Sequence, residues 1–472
     1  MSASPATDLW RMSAIELAQA IKDGQTSSQE VVEAHLRRIE AVNPSVNAVP
    51  VVMAERALEA AQAADRAIAA GADLLPLHGV PFIVKSNIDV VGTPTSQGAK
   101  ALVNAFPHLD APVVERLKAA GAIPIGCANM PTYAMRWHCE SELWGATINP
   151  WDRSRTAGAS SAGVAVAIAT GMSPLGLGND GLGSLRHPAQ CCGVVALKPT
   201  LGRIPDATTT GPQDSPIGVQ LTAVQGPLAR RVSDLRAAFE ALAGPTWRDP
   251  WTVPAPLRGP EHPMPLRVAL VLDPAGLGVA KQVQLGVRKA ARALADAGYI
   301  VEEVEPPSID LAAKALLDML NPPGIRPDDW ELMFPSLPDD TRRFLSQFYT
   351  YAGAPDPVAH MRSFMTRHAL LRAWGEFQET RPLIVAPVST ELPFKAGTDL
   401  SEGRVAAEIQ SMRMTIAVNA LGLPAVAVPV GVRDGLPQVA QIIGPRYRED
   451  LCLDAAAAIE DRLGVITPID PR

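Results

Sequence analysis

Aromatic side chains are scarce: Phe, Trp and Tyr together make up 5% of the 472 residues. That argues against a platform on which nucleic-acid bases stack. A basic excess is missing too. Lys and Arg number 42 against 49 Asp and Glu, a formal net charge of −7, where a nucleic-acid binder ordinarily presents a basic surface. Cysteines are few and odd in number: Cys127, Cys139, Cys191, Cys192 and Cys452, with no C-x-x-C. This spacing suits neither a zinc ribbon nor a disulfide scaffold. Cys191 and Cys192 are adjacent and would pair only under strain, so all five read as reduced thiols of a cytoplasmic protein. Histidines show no ligand spacing, so a metal site is not expected; no organic cofactor is expected either. Met1 to Asp8 carries no basic or apolar stretch of the kind a signal peptide needs. The most apolar stretch, Gly163 to Gly178, is too short for a membrane span and is cut by Gly171 and Pro174.

What is present is globular: 47% hydrophobic and 19% charged residues, on a chain long enough for a large core. Residues 1–70 read as a helical arm. Ser13 with Glu16, and Ser27 with Glu30, form capping boxes, and Val32, Leu36 and Ile39 follow as one apolar stripe. From Gly79 the texture changes. Gly79–Lys85 and Ala122–Gly126 are short apolar runs separated by a helical pattern ending near Ala120. Leu266–Leu272, Pro382–Pro387 and Pro424–Val432 read as further strands, and Lys281–Ala297 as a helix. This alternation predicts an α/β fold, one large domain with a mixed twisted β-sheet flanked by helices. Residues 308–379 are mostly helical and rich in aromatics, with breaks at Pro322–Gly324, Pro335 and Pro338. They suit either ordinary helix core or a variable cap over an apolar pocket. The remaining core is expected at about 77–245 and 380–472, with Pro245–Pro265 as an irregular loop.

Ser154–Gly202 is unusual. It holds four charged residues, Arg155, Asp180, Arg186 and Lys198, in a background of Gly, Ser and Ala. Apolar residues are woven through it, which points to close backbone packing and not to a flexible linker. Gly176–Gly181 matches G-x-G-x-x-G. However, Arg186-His-Pro188 interrupts the following helix, and the acidic residue expected about twenty positions on is absent. Three elements remain: Lys85 at the end of an apolar strand, Ser160-Ser161, and Ser184. A lysine buried among apolar groups loses its charge more readily and can then take a proton from serine, directly or through a second serine. Backbone N–H groups in a Gly-rich loop can face a developing oxyanion.

In these residues the chain resembles the amidase signature enzymes. The resemblance runs through Leu77–Val90, Asn129-Met-Pro131, Asn149-Pro-Trp151, Ser154–Pro205, Gly226–Arg230 with Asp234, Asn419–Pro424, Gly435-Leu-Pro437 and Gln441. The 24-residue interval from Ser160 to Ser184 equals that family's spacing. The resemblance implies a Ser-cisSer-Lys triad, with Ser184 as nucleophile, Ser160 as proton relay after a cis peptide, and Lys85 as base. It implies an oxyanion hole from the N–H groups of Gly181, Leu182, Gly183 and Ser184, with Ser161, Asp180 and Arg186 in support. Met130, Tyr133, His138 and His187 are expected near the substrate; for both histidines, packing within the fold is the other reading. The sequence departs from the family pattern at Ala159, Ala162, Gly181, Leu182, Ser86 and Val439. A Leu at 182 would be strained if that position needed a positive φ; otherwise it would narrow the pocket.

The implied activity is hydrolysis of small hydrophobic or aryl amides through an acyl-enzyme. Carbamates (urethanes) and aryl esters are open to the same triad. A glutamine amidotransferase subunit that works with a partner is a rival reading, and a binding protein with a relic triad another. A small-molecule amide or carbamate is the expected partner, for a monomer or homodimer without nucleic acid or membrane.

Overall fold

The computed structural model describes residues 8–211, 214–323, 329, 334, 336–353 and 355–472. Residues 1–7, and with them most of the Met1–Asp8 segment, as well as Gly324, Trp330 and Pro335, lie outside the described residues.

The arm comprises α1 (Ala14–Lys22), α2 (Ser28–Val46) and α3 (Ala54–Ala69), with β1 (Val51–Val52) between the last two. Both capping boxes form, so each satisfies two backbone donors at a helix start. The arm is not wholly helical, because β1 pairs antiparallel with the sheet. Next come β2 (Pro81–Lys85), α4 (Pro112–Ala119), β3 (Ile123–Ala128) and the short hairpin β4 (Glu140–Ser141) and β5 (Gly145–Ala146). The central stretch supplies α5 (Ala162–Ala169), β6 (Leu175–Asp180), α6 (Arg186–Cys192), β7 (Val195–Lys198), α7 (Ile217–Gln220), β8 (Val224–Ala229) and α8 (Val232–Leu242). Then follow β9 (Arg267–Leu270), α9 (Lys281–Asp296), β10 (Ile300–Glu303), α10 (Ile309–Leu320), α11 (Asp339–Ala352) and α12 (Pro357–Thr380). The chain closes with β11 (Leu383–Pro387), α13 (Arg404–Ser411), α14 (Arg413–Leu421), β12 (Ala425–Arg433), β13 (Leu436–Ile443) and α15 (Glu449–Leu463).

Among the described residues, eleven strands form one mixed sheet in the order β1-β3-β2-β6-β8-β7-β12-β13-β11-β9-β10. β2 lies parallel to both β3 and β6. A parallel centre is covered on both faces, and every residue of β2 is buried. Because β2 and β6 run the same way, Lys85 and Asp180 both finish at one edge of the sheet. α5 packs on this centre with all eight residues buried, so its sequence shows no polar face. Gly176 and Gly178 permit that approach. A Cβ on Gly176 would stand 2.3 Å from Val164 Cγ1, and one on Gly178 would stand 2.6 Å from Ser161 Oγ. The G-x-G-x-x-G match is thus a strand with a helix packed on its glycines, not a turn that opens a helix. All five cysteines are buried free thiols. Among the described residues, no helix is long and apolar enough to cross a membrane.

Candidate active site

Lys85 ends β2 fully buried. Its Nζ lies 2.7 Å from Ser160 Oγ and donates to Asn179 Oδ1 at 2.5 Å. Burial pulls its pKa down from 10.5 to about 7; Cys139 and Asp180 act the other way. The Ala159–Ser160 peptide bond is cis. Ser161 donates its N–H to the Ser184 carbonyl at 3.1 Å and its Oγ to the Asn179 carbonyl at 3.3 Å. These bonds fasten the corner before α5 to the loop that joins β6 to α6. Lys85, Ser160 and Ser184, distant in sequence, are thereby brought to one place. Lys85 and Ser160 are buried, whereas Asn179, Gly181, Leu182 and Ser184 are partly exposed.

The loop after β6 is organised by a buried ion pair. Asp180 accepts from Arg186 Nε at 3.0 Å, from Gly183 N–H at 2.7 Å, from Leu185 N–H at 3.2 Å and from Asn419 Nδ2 at 3.0 Å. Arg186 also reaches Gln441 Oε1 at 3.0 Å and Asn419 Oδ1 at 2.6 Å. Burial alone would raise the Asp180 carboxyl; the Arg186 guanidinium outweighs it and holds the group well below the usual carboxylate range. One expectation changes here. The Gly183 N–H, expected among the oxyanion donors, is engaged by Asp180 at 2.7 Å. Gly183 takes the left-handed conformation with φ 94°, and Leu182 does not, so the Leu182 side chain brings no backbone strain. It packs instead on an apolar cluster with Tyr133, Trp137, Phe344, Phe348 and Met412.

Tyr133 meets Phe334 with ring centroids 5.1 Å apart. Met130 is fully buried, its N–H bonded to Asn129 Oδ1 at 3.0 Å. His138 Nδ1 lies 3.2 Å from Thr156 Oγ1, which also accepts from Gly158 N–H, so this ring braces the approach to Ser160. His187 stacks on Phe394 at 6.5 Å, and burial lowers its pKa to about 4. Sequence reasoning missed Asn179 and Asn87. Asn179 was hidden inside the G-x-G-x-x-G match; its Nδ2 donates to Asn87 Oδ1 at 3.0 Å.

Residues 30–453 match the family model for Amidase. The chain belongs to the amidase family. It is 41% identical over 464 residues to an indoleacetamide hydrolase of Bradyrhizobium diazoefficiens, covering 98% of this chain and 88% of that relative. It is 34% identical to a glutamyl-tRNA(Gln) amidotransferase subunit of Salinispora arenicola, covering 98% and 99%. A solved bacterial aryl acylamidase of the amidase signature family superposes with a TM-score of 0.81 at 26% identity, over 97% of each chain. The single-domain mixed α/β fold is that of amidase signature structures.

Proposed function

We propose that this amidase hydrolyses amides of small aryl-acyl groups through an acyl-enzyme on Ser184. Neutral Lys85 takes the Ser160 proton while Ser160 takes that of Ser184, and Ser184 Oγ bonds to the acyl carbon. The N–H groups of Gly181, Leu182 and Ser184 hold the oxyanion, where preorganised donors act most strongly. The relay returns its proton to the leaving nitrogen, ammonia or amine departs, and water cleaves the ester. Ser161, Asp180 and Arg186 hold the loop, and the described residues of 308–379, through Phe334, Phe344 and Phe348, form the cap that meets Leu182 and Tyr133. The observation that carries this reading is the buried Lys85 Nζ at 2.7 Å from Ser160 Oγ, next to a partly exposed Ser184. The greater identity to an indoleacetamide hydrolase than to an amidotransferase subunit favours an aryl substrate over glutamine. Carbamates and aryl esters would follow the same route. The five buried free thiols suit a reducing, cytoplasmic setting.

The test is product release by the purified chain from indoleacetamide, phenylacetamide, a matched aryl carbamate and glutamine, beside Ser184→Ala. Release from the arylacetamides that Ser184→Ala abolishes is expected. Release from glutamine alone, and only with a co-purified partner, would establish the amidotransferase reading instead.

A further inference from the structure

We propose that Asn179 is a positioning residue for Lys85, its side-chain amide locked by Asn87 so that the amine faces Ser160. The proposal rests on the reading of Lys85 as base. A neutral amine has two N–H groups and one lone pair. To act on Ser160, the lone pair must point at Oγ, so the hydrogens need acceptors elsewhere. Asn179 Oδ1, at 2.5 Å from Nζ, is such an acceptor. An amide can turn over and present its NH₂ instead, which would compete for the lone pair. Here the turned form is disfavoured, because Nδ2 already donates to Asn87 Oδ1 at 3.0 Å. Asn87 lies two residues beyond Lys85, so the lock and the base move together. The Asn179 backbone is fixed as well, by Ser161 Oγ on its carbonyl at 3.3 Å.

The neutrality of Asn179 matters as much as its acceptor. A carboxylate there would favour the ammonium form of Lys85 and raise its pKa. The other buried titratable groups around β2 leave the amine free of a close counter-charge. Asp180 on β6 is paired with Arg186. Cys127 on β3 and Cys139 before β4 are kept protonated, with burial raising their thiols to about 12 and about 11. His35 on α2 is neutral, lowered to about 3 by burial. Asp89, on the turn after β2, accepts from Thr95 and Thr208. α5 has no titratable side chain.

The experiment compares wild type, Asn179→Asp, Asn179→Leu and Asn87→Ala. It follows kcat and KM for phenylacetamide against pH, and the rate of Ser184 sulfonylation by phenylmethylsulfonyl fluoride. Asn179→Asp is expected to move the acidic limb of both profiles to higher pH by at least about one unit, with turnover recovering at alkaline pH. Asn179→Leu is expected to lose about 10–100-fold in kcat at unchanged KM, the range for one hydrogen bond to a charged or reacting group. Asn87→Ala, on a partly exposed turn, is expected to lose less, in the same sense. Superimposable pH profiles for wild type and Asn179→Asp, or unchanged kcat in Asn87→Ala, would overturn the Asn179 inference alone. Sulfonylation that survives Ser184→Ala would overturn the reading of the site, and this inference with it.

Discussion

Replacing Lys85 by Met removes the amine but leaves an unbranched side chain of similar length in the same buried space. Catalysis should vanish, and stability should change in a way only this lysine dictates. The folded pKa is about 7 and the ordinary value 10.5. Below pH 7 both folded and unfolded chains carry the proton, so the pH slope from this group is zero. Between 7 and 10.5 the unfolded chain keeps the proton and the folded chain has released it, so stability rises with pH. At about 1.4 kcal/mol per pH unit, Lys85 contributes a gain of up to ~5 kcal/mol across that window, and the Met variant lacks that contribution. Met also leaves Ser160 Oγ and Asn179 Oδ1 short of a partner, at about 1–3 kcal/mol each, a cost that does not vary over this range. The sign of the difference at one pH is therefore less informative than its slope. With about 2.1 cal/mol/K of unfolding entropy per residue, 472 residues give roughly 1 kcal/mol/K. Between pH 7 and 9.5 the wild-type Tm should thus gain about 3–4 °C relative to Lys85→Met. The assay is a pair of thermal melts across that range, beside the wild-type kcat/KM profile, whose acidic limb should centre near pH 7. Parallel Tm curves, or a kcat/KM flat from pH 5.5 to 9, would refute the buried neutral base.

Asp180→Asn leaves Arg186 buried without its counter-charge, which costs about 3–5 kcal/mol. A Tm lower by several degrees, with activity lost beyond what unfolding explains, is expected from melts and initial rates; an unchanged Tm would count against the ion pair as the organiser of the loop. Leu182→Gly removes the apolar side chain between the Ser184 loop and the cluster of Tyr133, Phe344 and Phe348. Competition between naphthylacetamide and phenylacetamide should shift toward the larger acyl group by about 10-fold or more in relative kcat/KM, and a constant ratio would place the pocket elsewhere.

The sheet was legible where one physical signal dominated. The β2 run is apolar up to Lys85 because the centre of the sheet is covered on both faces, and the capping boxes announced α1 and α2 within a few residues. Legibility failed where burial erased pattern. α5 is covered all round, so Val164, Val166 and Ile168 offered no period to distinguish helix from strand. Leu182 looked like a threat to the oxyanion loop because sequence cannot say which residue takes the positive φ; Gly183 takes it. Asn179 was invisible for another reason: its partners lie on β2 and the turn beyond, and only the pairing of β6 with β2 brings them together.

The same limit bears on the choice of base. Lys198 is as buried as Lys85, and burial lowers its pKa to about 7 as well. Burial alone therefore does not select a catalytic lysine. The neighbours of each amine do. Lys198 Nζ donates to the carbonyls of Pro199 and Leu423 at 2.9 and 2.8 Å. A carbonyl only accepts, so these contacts supply no proton for Lys198 to take, and the lysine is a cross-link between β7 and the turn before β12. Lys85 faces a hydroxyl on one side and a locked amide oxygen on the other. The hydroxyl can give up a proton and the amide oxygen cannot, so in the proposed relay the partner atoms set the direction of transfer, and burial supplies only the neutral amine that begins it.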